Sequence, residues 1–172
     1  MAAAEGERRL LVGGELVDAS GGATFDNVNP TTEQVLGVVA DATRDDMERA
    51  VVAARTAFDH GPWATDRELR HRCLLQLQAA LESEREALRA ELVAEVGCPV
   101  LSTYGPQLDA PLSEALLWPA EMIEAFQWSR SLGAKDPFGM GSFTEREVWK
   151  EPVGVVGVIV PWNFPVEILL NK

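Results

Sequence analysis

The residues of this chain that combine a reactive type with a telling position lie near its C-terminal end. Asn163 stands between two prolines in Pro161-Trp162-Asn163-Phe164-Pro165, directly behind residues 153–160, an almost pure run of Val, Ile and Gly. If that run is a sheet strand, Asn163 sits where a ligand would be faced; otherwise its carboxamide closes an Asx-type turn between the prolines. Both readings stand on pattern alone. Two thiols supply the nucleophile type. Cys73 falls on the apolar stripe of a helix, a core position, and Cys98 follows a helix end. Together with His60 and His71 they show no CxxC, HExxH or zinc-finger spacing, so no metal site is expected. Gly139 and Gly141 form a lone Gly-x-Gly without a preceding apolar strand and read as loop, not as a phosphate cradle. Gly154 and Gly157 lie inside the apolar run without forming GxGxxG, and close approach of a neighbouring helix is the expected reason for them.

These residues need elements to position them. A continuous apolar run such as 153–160 is the pattern of a strand buried on both faces of a parallel sheet. It stops at Pro161, and residues 166–172 begin a helix, giving one strand-loop-helix unit with Pro161 to Pro165 at the carboxyl end of the strand. Upstream, residues 10–40 alternate short apolar stretches with Gly13-Gly14, Gly21-Gly22 and Asn29-Pro30, which reads as three short strands. Thr43 and Asp46 form a capping box, and Met47, Ala50, Val51, Ala54 and Phe58 follow at helical spacing, predicting a helix over 44–59. Thr65 with Glu68 repeats the start signal, and an apolar stripe runs from Leu69 to Leu92 before Gly97 and Pro99. Ser83 with Glu86 marks a second start, so two helices are expected to meet near Glu82. The acidic set over 82–95, paired with Arg85 and Arg89, reads as a solvated helix face. After a turn-rich connection over 100–111, Pro111 suits the first turn of a helix reaching about Arg130, kinked at Pro119. Residues 131–141 read as a loop and 143–150 as an exposed, charged strand.

Bulk properties narrow the function class. In 172 residues, 47% hydrophobic and 24% charged content is that of a globular domain, not of a disordered or low-complexity chain. The formal net charge of −12 repels phosphate backbones and anionic head groups, so neither nucleic acid nor a membrane surface is an expected partner. No run approaches the roughly 20 apolar residues of a membrane span. Two thiols without a disulfide framework, and a polar, Ala-rich start lacking a signal-peptide apolar core, lead to the expectation of a cytoplasmic protein.

The run from Glu151 through Val160 into Pro161-Trp162-Asn163-Phe164-Pro165 resembles the signature at the first strand of the nicotinamide-binding domain in NAD(P)-dependent aldehyde dehydrogenases. Residues 12–18, the Asn29-Pro30 turn, the Ala-rich helix through Ala57-Phe58, and Glu95-Val96-Gly97 before Pro99 fall in that family's order, so the resemblance covers essentially the whole chain. It implies an α/β fold: the N-terminal part of the aldehyde dehydrogenase fold, with short strands and helices leading into the first strand of a doubly wound nucleotide-binding sheet, incomplete. Residues 1–133 would belong to the cofactor-binding domain, 134–150 to a bridging segment that joins subunits, and 151–172 to the opening of the nucleotide-binding sheet. The implied reaction is oxidation of an aldehyde to a carboxylate with NAD or NADP, through a cysteine thiohemiacetal. Asn163 matches the asparagine that donates a hydrogen bond to the substrate oxyanion. Ile159, Val160, Pro161 and Trp162 match the stretch lining the cofactor. Lys172 matches a lysine credited with placing catalytic groups or moving protons, although a lysine here also reads as a solvated charge. Cys98 does not match the nucleophile.

The nucleophilic cysteine, the general-base glutamate and the glycine-rich turn under the pyrophosphate have no counterpart in these residues. Residues 1–172 are therefore expected to lack the catalytic domain and to show little activity alone, with 153–160 unpaired and apolar surface uncovered. The strand over 143–150 is likewise expected to lack its partner. The full-length parent would be a homo-oligomer acting on a small aldehyde. The alternatives are a non-catalytic protein that binds full-length subunits through residues 143–150, a fragment without separate biology, and a free nucleotide-binding module, which the lack of a phosphate-cradling loop counts against.

Overall fold

The computed structural model describes residues 7–172, and the polar, Ala-rich start over residues 1–6 lies outside them. The first two strands, β1 (Leu10–Val12) and β2 (Glu15–Val17), form an antiparallel hairpin in which Leu10 faces Val17 and Val12 faces Glu15. Its two-residue turn is Gly13-Gly14, both at positive φ, which matches the twist of the flanking strands. β3 (Thr24–Val28) and β4 (Val35–Ala40) pair antiparallel with a bulge between Asn27 and Val28. The Asn29 side chain closes the connecting turn, accepting from the Thr31 and Thr32 amides at 2.8 and 3.1 Å. Four strands thus stand where three were expected, because the Gly-Gly turn splits the first stretch into a hairpin.

Helix α1 (Arg44–His60) begins at the expected capping box. The Asp46 amide donates to Thr43 Oγ1 at 3.3 Å, and the Thr43 amide donates back to Asp46 Oδ2 at 2.8 Å. A 3-10 turn (Pro62–Ala64) leads to α2 (Arg67–Ser83). The cap there is Asp66, which accepts from the Leu69 amide at 2.8 Å, and not Thr65, whose hydroxyl turns back to Pro62. α3 (Arg85–Val96) starts at Glu84 without a side-chain cap; Ser83 donates to the Ala80 carbonyl instead. Gly97, left-handed at φ 70°, ends α3.

The connection over 100–111 holds a short helix α4 (Val100–Thr103) and the start of α5 (Asp109–Glu114). No single kinked helix follows. α6 (Leu117–Ala125) is separate, with Pro119 in its first turn, where a missing backbone donor leaves no bond unmade. Residue 130 is not helical but lies in β5 (Ser129–Lys135), which pairs antiparallel with β6 (Thr144–Trp149) around a bulge between Ser131 and Gly133. The strand expected over 143–150 therefore has its partner, drawn from residues expected to end a helix and form a loop.

Residues 150–161 carry no strand pairing: the run 153–160 has the pattern of a buried parallel strand, but it forms no strand and is unpaired with its apolar surface uncovered, as expected where neighbouring strands are lacking. All three sheets of the described residues are two-stranded and antiparallel. A parallel strand exists only through hydrogen bonds to neighbours and cover on both faces. Lacking both here, the run is largely exposed, with Ile159 95% accessible. α7 (Pro165–Leu170) closes the described chain. The buried core joins Leu92, Cys98, Leu108 and Leu112, with Val166 and Leu170 of α7 packed against it. Among the described residues, no helix is long and apolar enough to cross a membrane.

Candidate active site

The Pro161–Pro165 loop is held by what surrounds it. Pro165 is the first residue of α7, a place that suits a residue without a backbone donor. The Ile168 amide donates to the Phe164 carbonyl at 3.0 Å, and Val166 and Leu170 anchor the short helix to the buried core of Leu92, Cys98, Leu108 and Leu112. The backbone carbonyl of Asn163 accepts from Gln107 Nε2 at 2.7 Å. Its carboxamide is exposed and makes no hydrogen bond among the described residues. An Asx turn would direct the Asn163 side-chain oxygen to the amide of residue 165, and proline has none. The carboxamide is thus left over from folding, on a backbone that folding has fixed.

Ile159, Pro161 and Trp162 are exposed and Val160 half-buried, so the apolar and aromatic surface beside Asn163 is open. Lys172 follows the cap of α7 at the far end from Asn163; its amide donates to the Leu169 carbonyl at 3.3 Å and its side chain is exposed. The structure therefore brings residues 159–163 into one loop and leaves Lys172 across a short helix from them. Gly154 has φ 101°, which only glycine adopts readily, and a Cβ there would lie 3.0 Å from Arg55 Nη1 of α1. Only the end of the Arg55 side chain approaches Gly154, not a packed helix as expected, and nothing lies within 4 Å of a Cβ built on Gly157.

Neither thiol is poised for attack. Cys98 is buried, its S–H directed at the Leu92 carbonyl at 3.5 Å, and burial pushes its pKa up, away from the reactive thiolate. Cys73 is half-buried on α2. No cluster of three potential metal ligands occurs among the described residues. A cavity of about 650 Å³ opens between the β3–β4 turn and the end of α3, lined by residues such as Asn29, Gln34, Ala94 and Cys98 and by none of the loop residues.

Glu84, Glu86 and Glu95 are exposed and Arg85 and Arg89 pair with Glu82 and Glu86 as expected, but Arg89 itself is only 5% exposed. Its guanidinium reaches Thr103 Oγ1 at 2.9 Å and Asp109 Oδ1 at 2.8 Å, and lies 4.0 Å from the Tyr104 ring centroid. This network fixes the stretch that carries Gln107. No sequence pattern marks Gln107, since a lone glutamine in a turn-rich connection has no periodicity to betray burial; its contact with Asn163 spans 56 residues.

Residues 16–172 match the model of the aldehyde dehydrogenase family. This chain belongs to that family. It is 33% identical over 166 residues to an aminoacetaldehyde dehydrogenase of Pseudomonas aeruginosa, covering 96% of this chain and 32% of that protein. It is 32% identical over 165 residues to aldehyde dehydrogenase 1 of Tanacetum cinerariifolium, covering 95% of this chain and 32% of that one. Among solved structures, the aldehyde dehydrogenase of Mycobacterium tuberculosis complexed with NAD+ superimposes with a TM-score of 0.84 at 29% identity, over 96% of this chain and 33% of that one. The chain thus spans about a third of the length of the aldehyde dehydrogenases it matches, and its fold is the N-terminal part of theirs.

Proposed function

We propose that this aldehyde dehydrogenase chain supplies the oxyanion donor and part of the nicotinamide-facing wall for NAD(P)-dependent oxidation of a small aldehyde to a carboxylate. The observation that carries the reading is Asn163, whose carboxamide is exposed and unpaired while its own backbone carbonyl is fixed by Gln107. A neutral amide donor held in place stabilises negative charge as it develops on the substrate oxygen, and adds no positive charge that would oppose loss of hydride from carbon. Ile159, Val160, Pro161 and Trp162 offer flat apolar surface and backbone carbonyls outside any sheet, which fits a nicotinamide and its ribose. Bound NAD or NADP would accept the hydride. Lys172, beyond α7, is the candidate for placing groups or carrying a proton at the rim.

With Cys98 buried and Cys73 within α2, residues 1–172 alone are proposed to be inactive, the attacking thiol of the whole enzyme coming from elsewhere. Residues 1–133, 134–150 and 151–172 are assigned to the cofactor-binding domain, the bridging segment and the start of the nucleotide-binding sheet, and the active form is proposed to be a homo-oligomer. The test is aldehyde-dependent reduction of NAD or NADP by the protein isolated from its source, with and without Asn163→Ala. Oxidation that depends on Asn163 supports the reading; oxidation indifferent to it removes the assigned role.

A second reading is favoured by one observation: the β5–β6 hairpin leaves Leu132, Phe143 and Trp149 exposed. A non-catalytic chain that joins longer family members through this hairpin would co-purify with them, show no oxidation itself, and lose the association on Phe143→Glu.

A further inference from the structure

We propose that Gln107 is a positioning residue for Asn163, its amide fixing the loop backbone so that the Asn163 carboxamide is presented at one point; the inference rests on the proposed role of Asn163. Gln107 is 6% exposed, and its Nε2 donates to the Asn163 carbonyl at 2.7 Å. Its Oε1 is buried without a partner. Turning the amide over would set two acceptors against each other, so the contact with Asn163 selects one orientation. A half-satisfied buried amide is unfavourable, and an apolar side chain of similar volume would avoid that penalty. What the glutamine adds is the bond to residue 163.

Gln107 is itself unable to retreat. Its backbone N–H donates to the Ser102 carbonyl at 3.1 Å, Leu108 beside it is fully buried, and Thr103, Tyr104 and Asp109 all engage the Arg89 guanidinium. On the other side α7 docks on the buried cluster to which Leu108 belongs. The rigid α3–α5 region thus reaches the loop at two places: through packing of α7, and through one directional bond to the residue that carries the donor. Misplacement of a catalytic group by about 1 Å can lower a rate on the order of 100-fold, so a single bond of this kind has leverage on catalysis.

The test uses Gln107→Glu, which preserves shape but replaces the N–H donor with an acceptor when ionised and an O–H donor when protonated. The full chain is labelled with fluorotryptophan, and the Trp162 resonance is assigned by its loss in Trp162→Phe. The expected result is a Trp162 line displaced at neutral pH and returning to its wild-type position as the pH is lowered through the new carboxyl, while the lines of the other tryptophans stay in place. Gln107→Leu is expected to keep the line displaced at every pH. An unmoved Trp162 line in both variants overturns the proposal, and so does loss of all native lines in both, which would make Gln107 a general core residue. In the active enzyme from its source, Gln107→Glu should lower kcat roughly 10- to 100-fold with the KM for cofactor unchanged, and acid should narrow the gap. If Asn163→Ala lowers kcat and Gln107→Glu does not, the positioning role fails alone. If Asn163→Ala leaves kcat intact, the reading of Asn163 fails, and the resonance still decides whether Gln107 holds the loop.

Discussion

Arg89 Nη2 and Asp109 Oδ1 lie 2.8 Å apart between α3 and α5, and the pair holds in place the backbone from which Gln107 reaches the loop. Glu86 first, and then Asp109, keep the guanidinium charged against the opposing effect of burial. Burial pushes the Asp109 carboxyl up, but its bonds to Arg89 and Arg85 outweigh this and hold it low. Asp109→Ala would leave Arg89 buried with a weaker set of partners. The expected loss of stability is about 1–3 kcal/mol, less than for a fully buried pair because Glu86 and Thr103 remain. Urea unfolding should show it as a lower midpoint at constant slope; an unchanged midpoint would mean the network carries no net stability.

Asp46 ties the start of α1 to the loop before β3. Its carboxyl is held well below the usual carboxylate range by the Thr43 amide first and the Ser20 hydroxyl next, with Arg49 adding to them, against the effect of burial. A group whose folded pKa is depressed contributes stability that is complete above its unfolded value, about 3.9, and is lost as pH falls from there toward the folded value. The stability gap between wild type and Asp46→Asn should therefore be constant from about pH 5 to 8 and shrink below about pH 4. A gap that stays constant through the acid range would contradict this assignment.

Gly97 ends α3 in the left-handed region, and a Cβ there would lie 2.9 Å from Pro30 Cγ and 3.3 Å from Thr31 Oγ1. Gly97→Ala combines the left-handed penalty of about 1–2 kcal/mol with that crowding. Gly97→Asn, which tolerates the conformation better, should recover only the conformational part. Thermal unfolding of the two variants separates these contributions; equal stability of Ala, Asn and Gly would show that neither operates.

The buried Cys98 thiol, its pKa raised by burial, should react with alkylating reagents only as the chain unfolds, whereas the half-buried Cys73 reacts earlier. Mapping the modified sites by mass spectrometry in native buffer checks this. Rapid alkylation of Cys98 would reopen its candidacy as a nucleophile.

Local signals proved the most legible part of the fold. The Thr43–Asp46 box and the Gly97 end are set by neighbours in the chain, and α1 and α3 begin and end accordingly. Long-range pairing was less so. β5 contains a single large apolar residue, Leu132, so no alternation marked it; it is a strand because β6 pairs with it, not because a face is buried. At 153–160 the apolar pattern describes an environment of partner strands that the described residues do not provide, and the run is unpaired and exposed accordingly. In the site, Pro161 to Pro165 stood out by composition. Gln107 did not, because its significance lies wholly in a contact with a residue distant in sequence.

Single-turnover aldehyde oxidation by the enzyme carrying Asn163→Ala tests whether Asn163 is the oxyanion donor. The expected result is a hydride-transfer rate lower by roughly 100- to 1000-fold, equivalent to about 3–4 kcal/mol of lost transition-state stabilisation, with the dissociation constant for NAD or NADP unchanged. A rate equal to wild type at saturating aldehyde and cofactor would return Asn163 to the role of a loop residue.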